Sequence, residues 1–207
     1  MAEKITAQVV NEFRKSTGLG LMECKALLME ADGDPKKAMI LAKEKGLKNA
    51  EKRSGRATKA GRVEVYIHHD GKSGALIEVN CETDFVARND EFRQLCKDLA
   101  LQVVAANPLC VRRDQMDANL VDEQRGIFHK QVEDKPEAAR PKIVEGKLNS
   151  WFGESVLMDQ VFVKDSSKTV KDVITEINAR TGENVSVARF ARFVLGETAP
   201  ATVATAE

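Results

Sequence analysis

Arg62-Val63-Glu64-Val65-Tyr66-Ile67-His68-His69-Asp70-Gly71-Lys72-Ser73-Gly74-Ala75-Leu76-Ile77-Glu78-Val79-Asn80-Cys81-Glu82 is the stretch whose reading decides the fold. Val63, Val65 and Ile67 alternate with Glu64, Tyr66 and His68. Ala75, Ile77, Val79 and Cys81 alternate with Leu76, Glu78, Asn80 and Glu82. Successive strand side chains point to opposite faces, so a period of two predicts strands. Asp70-Gly71-Lys72-Ser73-Gly74 is turn chemistry. The pattern predicts an antiparallel hairpin with one apolar face.

Downstream of the hairpin the period changes. Asn89 fits a helix cap, with Asp90 and Glu91 suited to the positive end that follows. Phe92, Leu95, Cys96, Leu99 and Val103 form a helical stripe, and Asn107-Pro108 ends it. Further helices are predicted over 117–133 and from Pro141, and Val161-Phe162-Val163 is a short strand candidate. Thr169-x-x-Asp172 reads as a capping box in a weaker form, and Thr181-Gly182 as the stop of the helix that follows. Val185 to Leu195 alternates as a last strand.

Upstream, residues 1–46 read as three short helices. Thr6 caps the first, with Ile5 placed to staple onto Val10. Thr17-Gly18-Leu19-Gly20 breaks the pattern. Asp34-Pro35 opens the third helix, and Gly46 fits its stop. Helices this short must pack on one another to persist. Helices segregated from an antiparallel sheet make the class α+β. The expected organisation is an N-terminal helical domain with a basic linker over 1–55, an α+β core over 56–198, and a disordered tail over 199–207.

The chain has 207 residues and a formal net charge of zero, with 31% charged residues. A balanced total disfavours a dedicated nucleic-acid binder, because phosphate rewards a basic surface. The exception is local: between Lys36 and Arg62 stand ten Lys or Arg and two acids, Glu44 and Glu51. Contact with RNA or the ribosome through 36–62 is the alternative function, but this stretch has no aromatic residue for base stacking. A solvated helix or mobile linker joining two domains is the reading preferred. No apolar run could span a bilayer, and no apolar signal segment opens the chain, so a cytoplasmic protein is expected. Cys24, Cys81, Cys96 and Cys110 are widely spaced and read as small buried apolar residues.

Catalytic patterns are missing. There is no phosphate loop and no nucleophile elbow, and Gly18-Leu19-Gly20 sits between helices with Glu23 where a third glycine belongs. His68 and His69, adjacent on a predicted strand, would point to opposite faces and share no metal. A binding or regulatory protein is expected, with no enzymatic activity, no cofactor and no metal.

Three segments together resemble the bacterial elongation factor Ts family. They are Thr17-Gly18-Leu19-Gly20-Leu21-Met22-Glu23-Cys24-Lys25-Ala26-Leu27, then Glu78-Val79-Asn80-Cys81-Glu82-Thr83-Asp84-Phe85-Val86-Ala87, then the late run of Val144-Glu145-Gly146-Lys147, Phe152-Gly153-Glu154 and Ser167-Lys168-Thr169-Val170. They occur in the family's order and cover residues 1 to about 196. The resemblance implies a guanine-nucleotide exchange factor for the GTPase elongation factor Tu. It implies that the N-terminal helices resemble a ubiquitin-associated domain and dock through Arg14, Leu21 and Met22. It implies that Thr83, Asp84, Phe85 and Val86 enter beside the GTPase magnesium and dislodge it. Periodicity alone makes Phe85 a core residue where strand meets helix; the resemblance makes it a wedge. Longer members carry a doubled core, whereas this chain has room for one copy, which implies a short form that pairs its sheets as a homodimer. The last strand and the Val63–Cys81 hairpin are the candidate interface.

Overall fold

The computed structural model of the chain describes residues 5–53 and 55–197, with the backbone alone described over 47–51. The expected tail over 199–207 lies outside the described residues, as do Met1 to Lys4 of the opening segment.

Helix α1, Ala7–Thr17, starts where the Thr6 hydroxyl accepts a hydrogen bond from Val9 N. It stops where Gly18 adopts φ 70°, a left-handed conformation that glycine reaches without penalty, and its N–H closes on Arg14 O at 2.7 Å. Helix α2, Leu21–Glu30, follows, and then α3, Pro35–Arg53, opened by Asp34 Oδ1 accepting from Lys36 N at 2.8 Å. Val10, Phe13, Leu19, Cys24, Leu27 and Leu28 form the core of this unit.

The third helix does not stop at Gly46. It runs 19 residues to Arg53 and takes up the first two thirds of the basic stretch. Good helix formers follow the glycine, and the helix is supported from outside. A Cβ at Gly46 would stand 3.9 Å from Thr175 Cγ2 and 4.0 Å from Ala179 Cβ, so α3 lies on α8 (Val170–Thr181) of the core. Arg53 Nη1 also donates to Asn178 O of α8 at 3.1 Å.

The hairpin forms as expected. Strands β1, Ala60–Ile67, and β2, Ser73–Cys81, pair antiparallel. A further strand, β5 (Ser186–Val194), pairs antiparallel with β2 to give the order β1-β2-β5. The register changes one expectation. Val63 faces Glu78 and Val65 faces Leu76, while Glu64 faces Ile77 and Tyr66 faces Ala75. The two apolar rows of the hairpin therefore lie on opposite faces. Ala75, Ile77, Val79 and Cys81 are buried under helices, whereas Val63, Val65, Ile67 and Leu76 are exposed on the outer face with Phe193 and Leu195. On the inner face β1 contributes Arg62 and Glu64, paired at 2.8 Å.

The sheet's inner face is covered by α5, Asp90–Ala106, and α8 adds Ile174 and Ile177 to the same core. Asn89 caps α5 by accepting from Glu91 N at 2.8 Å, and the Thr169–Asp172 capping box of α8 is complete in both directions. Helices α6, Ala118–Lys130, and α7, Arg140–Ser155, form a hairpin around Val132, Val144 and Leu148. The ribbon of β3, Val161–Phe162, and β4, Asp165–Thr169, follows. Two buried amides lock it to α5. Gln102 Nε2 donates to Gln160 Oε1 and Val161 O, both at 3.1 Å, and Gln102 Oε1 accepts from Val163 N at 2.8 Å. Gln160 Nε2 donates to Ala106 O and Glu154 O, so the pair is well satisfied. The class is α+β: N-terminal helices followed by an antiparallel sheet packed with helices.

Candidate partner-binding site

Sequence reading placed Asp84 and Phe85 at a strand end. They form instead the first turn of a five-residue helix, α4, Asp84–Arg88. A helix of this length has no stability of its own, so its position depends on what holds its ends. At the far end Asn89 N donates to Val86 O at 3.0 Å while the Asn89 side chain caps α5. One residue thus closes α4 and opens the longest helix of the core.

The near end is held from a distant part of the chain. The Glu183 carboxylate accepts from Glu82 N and Thr83 N, each at 3.1 Å, through one oxygen. Its other oxygen accepts from the Thr83 hydroxyl at 2.5 Å. In return Glu82 Oε1 accepts from Asn184 N at 2.7 Å. The Cys81 thiol donates to Thr83 O at 3.2 Å and is pushed up to about 11 by burial and then by the charge of Glu183. Glu183 and Asn184 were invisible as site residues in the sequence. They follow a helix stop and read there as ordinary loop polars.

The side chains of α4 divide by face. Ala87 is buried, and Val86 packs against the core. Asp84 is exposed and lies 3.6 Å from Arg88 at helical spacing. Phe85 is 89% exposed. Phe85 is therefore not a core residue, and its ring projects from a backbone fixed at both ends. Burying that ring is favourable wherever an apolar partner surface meets it.

A second exposed apolar tip lies on the N-terminal helices. Leu21 and Met22 open α2, with Met22 75% exposed. Arg14 is exposed on the last turn of α1, just before the Gly18–Gly20 turn that leads to them, and makes no ion pair among the described residues. The two tips meet the same helix end. Gly18 packs on Arg180 and Thr83 hydrogen-bonds Glu183, so residues 180–184 support both.

His68 and His69 depart from expectation. They fall just beyond β1, in the turn, and their rings lie 4.3 Å apart rather than on opposite faces. Among the described residues no group of three or more His, Cys, Asp or Glu could hold a metal, and no helix is long and apolar enough to cross a membrane.

Comparison with known proteins identifies the family. The family model described as elongation factor TS matches residues 46–197. Elongation factor Ts of Thermotoga maritima is 45% identical over 194 residues, covering 94% of this chain and 98% of that protein. The Geobacter sulfurreducens elongation factor Ts is 50% identical over 195 residues, covering 93% of this chain and 90% of its own. That of Thermodesulfovibrio yellowstonii is 47% identical over 195 residues, covering 94% and 98%. The chain belongs to the elongation factor Ts family. It is thereby a nucleotide exchange factor of translation elongation, with elongation factor Tu as the partner the family implies, and not a catalytic enzyme.

Proposed function

We propose that the chain releases GDP from elongation factor Tu by driving the Thr83-Asp84-Phe85-Val86 tip against the magnesium and phosphate site. Arg14, Leu21 and Met22 hold the GTPase at a second contact. The observation that carries this reading is Phe85, 89% exposed on a helix of five residues tied at both ends. A wedge acts only if its own support does not yield. Magnesium holds nucleotide phosphates through near-ideal octahedral geometry, so a small displacement of its surroundings weakens GDP. Burying one Phe supplies about 1.5–3 kcal/mol, or roughly 10- to 150-fold. The rest of the driving force comes from the wider docking surface. Because coupling is reciprocal, incoming nucleotide expels the factor and no covalent step is needed.

The same reading assigns residues 1–55 to docking and 56–198 to the wedge and to self-association, in the cytoplasm and without nucleic-acid contact. A homodimer is supported by the outer sheet face, where Val63, Val65, Ile67, Leu76, Phe193 and Leu195 are exposed together. An apolar face of this size on an open sheet favours pairing with its copy. The test of the function is release of fluorescent GDP from elongation factor Tu. The chain should accelerate release and Phe85→Ala should largely lose the effect; an intact chain that leaves release unchanged would overturn the proposal.

A further inference from the structure

The N-terminal helices meet the core on α8. Gly46 lies against Thr175 and Ala179, and Arg53 closes on Asn178 O at 3.1 Å. A further contact is made by one side chain, Arg180. Its stem passes under Gly18, where an added Cβ would run into Arg180 Cδ. Its guanidinium ends on Glu91, in the first turn of α5. Gly18 belongs to the turn that leads into Leu21 and Met22. Glu91 N is held by Asn89, the residue that closes α4 behind Phe85. One side chain therefore touches the turn before one exposed tip and, through Glu91 and Asn89, is linked to the end of the helix that carries the other.

We propose that Arg180 is a positioning residue that fixes the Leu21–Met22 tip relative to the Phe85 tip. The inference rests on the reading above that both tips engage one partner. Two contacts carried on a rigid frame reinforce each other through effective concentration, and they lose that gain when the frame yields. The pair itself is partly exposed, with side-chain exposures of 28% for Arg180 and 43% for Glu91. Ion pairs of that kind add little to global stability. The effect of removing it should appear in alignment and affinity, and hardly in the melting temperature. Arg180 Nε is also buried without a hydrogen-bond partner among the described residues. A hydrophobic side chain would fill the space under Gly18 without that cost, but it could not reach across to hold Glu91.

The test uses the full chain and two readouts. Backbone amide relaxation reports the order of residues 18–22, and GDP release from elongation factor Tu reports function. Arg180→Ala should lower the amide order of the Gly18–Met22 turn, while the α3–α8 packing holds, and weaken the apparent affinity for the GDP complex by roughly tenfold, with little change in melting temperature. Arg180→Lys, which keeps the stem and a cation, should restore much of both. Glu91→Ala removes the acceptor of the Arg180 guanidinium and serves if Arg180→Ala does not fold. Unchanged amide order over residues 18–22 in Arg180→Ala, or in Glu91→Ala where that variant stands in, overturns the inference. A loosened turn with unchanged exchange overturns the alignment role. If the wild type itself does not accelerate GDP release, the functional reading fails, and the relaxation data still decide whether Arg180 joins the two tips.

Discussion

The Glu183 carboxylate accepts hydrogen bonds from both the backbone N–H of Thr83, at 3.1 Å, and its hydroxyl, at 2.5 Å. The loop after α8 thereby sets the starting angle of α4. Glu183→Ala should leave three donors around residues 82 and 83 without their acceptor. Hydrogen bonds to a charged group are worth about 1.5–3 kcal/mol, so we expect α4 to fray rather than the core to unfold. Amide exchange at Thr83 and Ala87 should speed up, and GDP-release activity should fall several-fold. Glu183→Gln keeps an oxygen acceptor and should be milder. Unaltered amide exchange in Glu183→Ala would count against this support.

The outer sheet face makes a separate prediction. Phe193 and Val65 stand on different strands of that face, both exposed. Sedimentation equilibrium of the wild type should give twice the chain mass of 22.8 kDa. Val65→Lys with Phe193→Glu should give monomers at micromolar concentration. A wild type that stays monomeric at high concentration removes the dimer.

Gln102 and Gln160 are both essentially inaccessible to solvent. Gln102→Leu would strip partners from Val163 N, Val161 O and Gln160 Oε1 at once. A buried polar group left unpaired costs about 1–3 kcal/mol. The melting temperature should drop by about 5–10 °C, whereas a change within a degree would mean that the network contributes nothing.

Glu64 lies on the inner face of β1. Burial alone would push its carboxyl up, but the Arg62 guanidinium, the Val65 N–H and the charges of Arg62 and Lys97 together hold it below the usual carboxylate range. A depressed folded value means stability that is present above the unfolded value of about 4.5 and lost as pH falls through the folded one. Wild type should therefore exceed Glu64→Gln in stability at pH 7, with the gap closing below about pH 4.5. Denaturant melts of both proteins across pH 3 to 7 check the sign, and a gap that widens on acidification would contradict it.

Legibility in the sequence followed element length and locality. The Thr169–Asp172 box, the Asn89 cap and the Thr6 cap are local chemistry, and each forms as read. Alternation revealed both hairpin strands but not their phase. Which face is buried is set by register, and Glu64 rather than Val63 stands opposite Ile77. Gly46 reads as a stop in isolation, yet α8 lies beside it and the helix continues. Helix α4 is too short to leave a period. Its support, Glu183, is 100 residues from Thr83, a separation no local pattern spans. The Phe85 tip itself was legible only through family resemblance, because periodicity favoured a buried ring.

The central claim is that Phe85 acts on the magnesium-dependent part of GDP binding. The direct measurement is stopped-flow release of fluorescent GDP from elongation factor Tu, with wild type and Phe85→Ala, each with magnesium and with excess chelator. Removing the ion does in advance what the wedge is proposed to do. We expect Phe85→Ala to be slower by roughly tenfold or more with magnesium present, and nearly equal to wild type without it. The same deficit in both conditions would show that Phe85 contributes only to docking and would contradict the account.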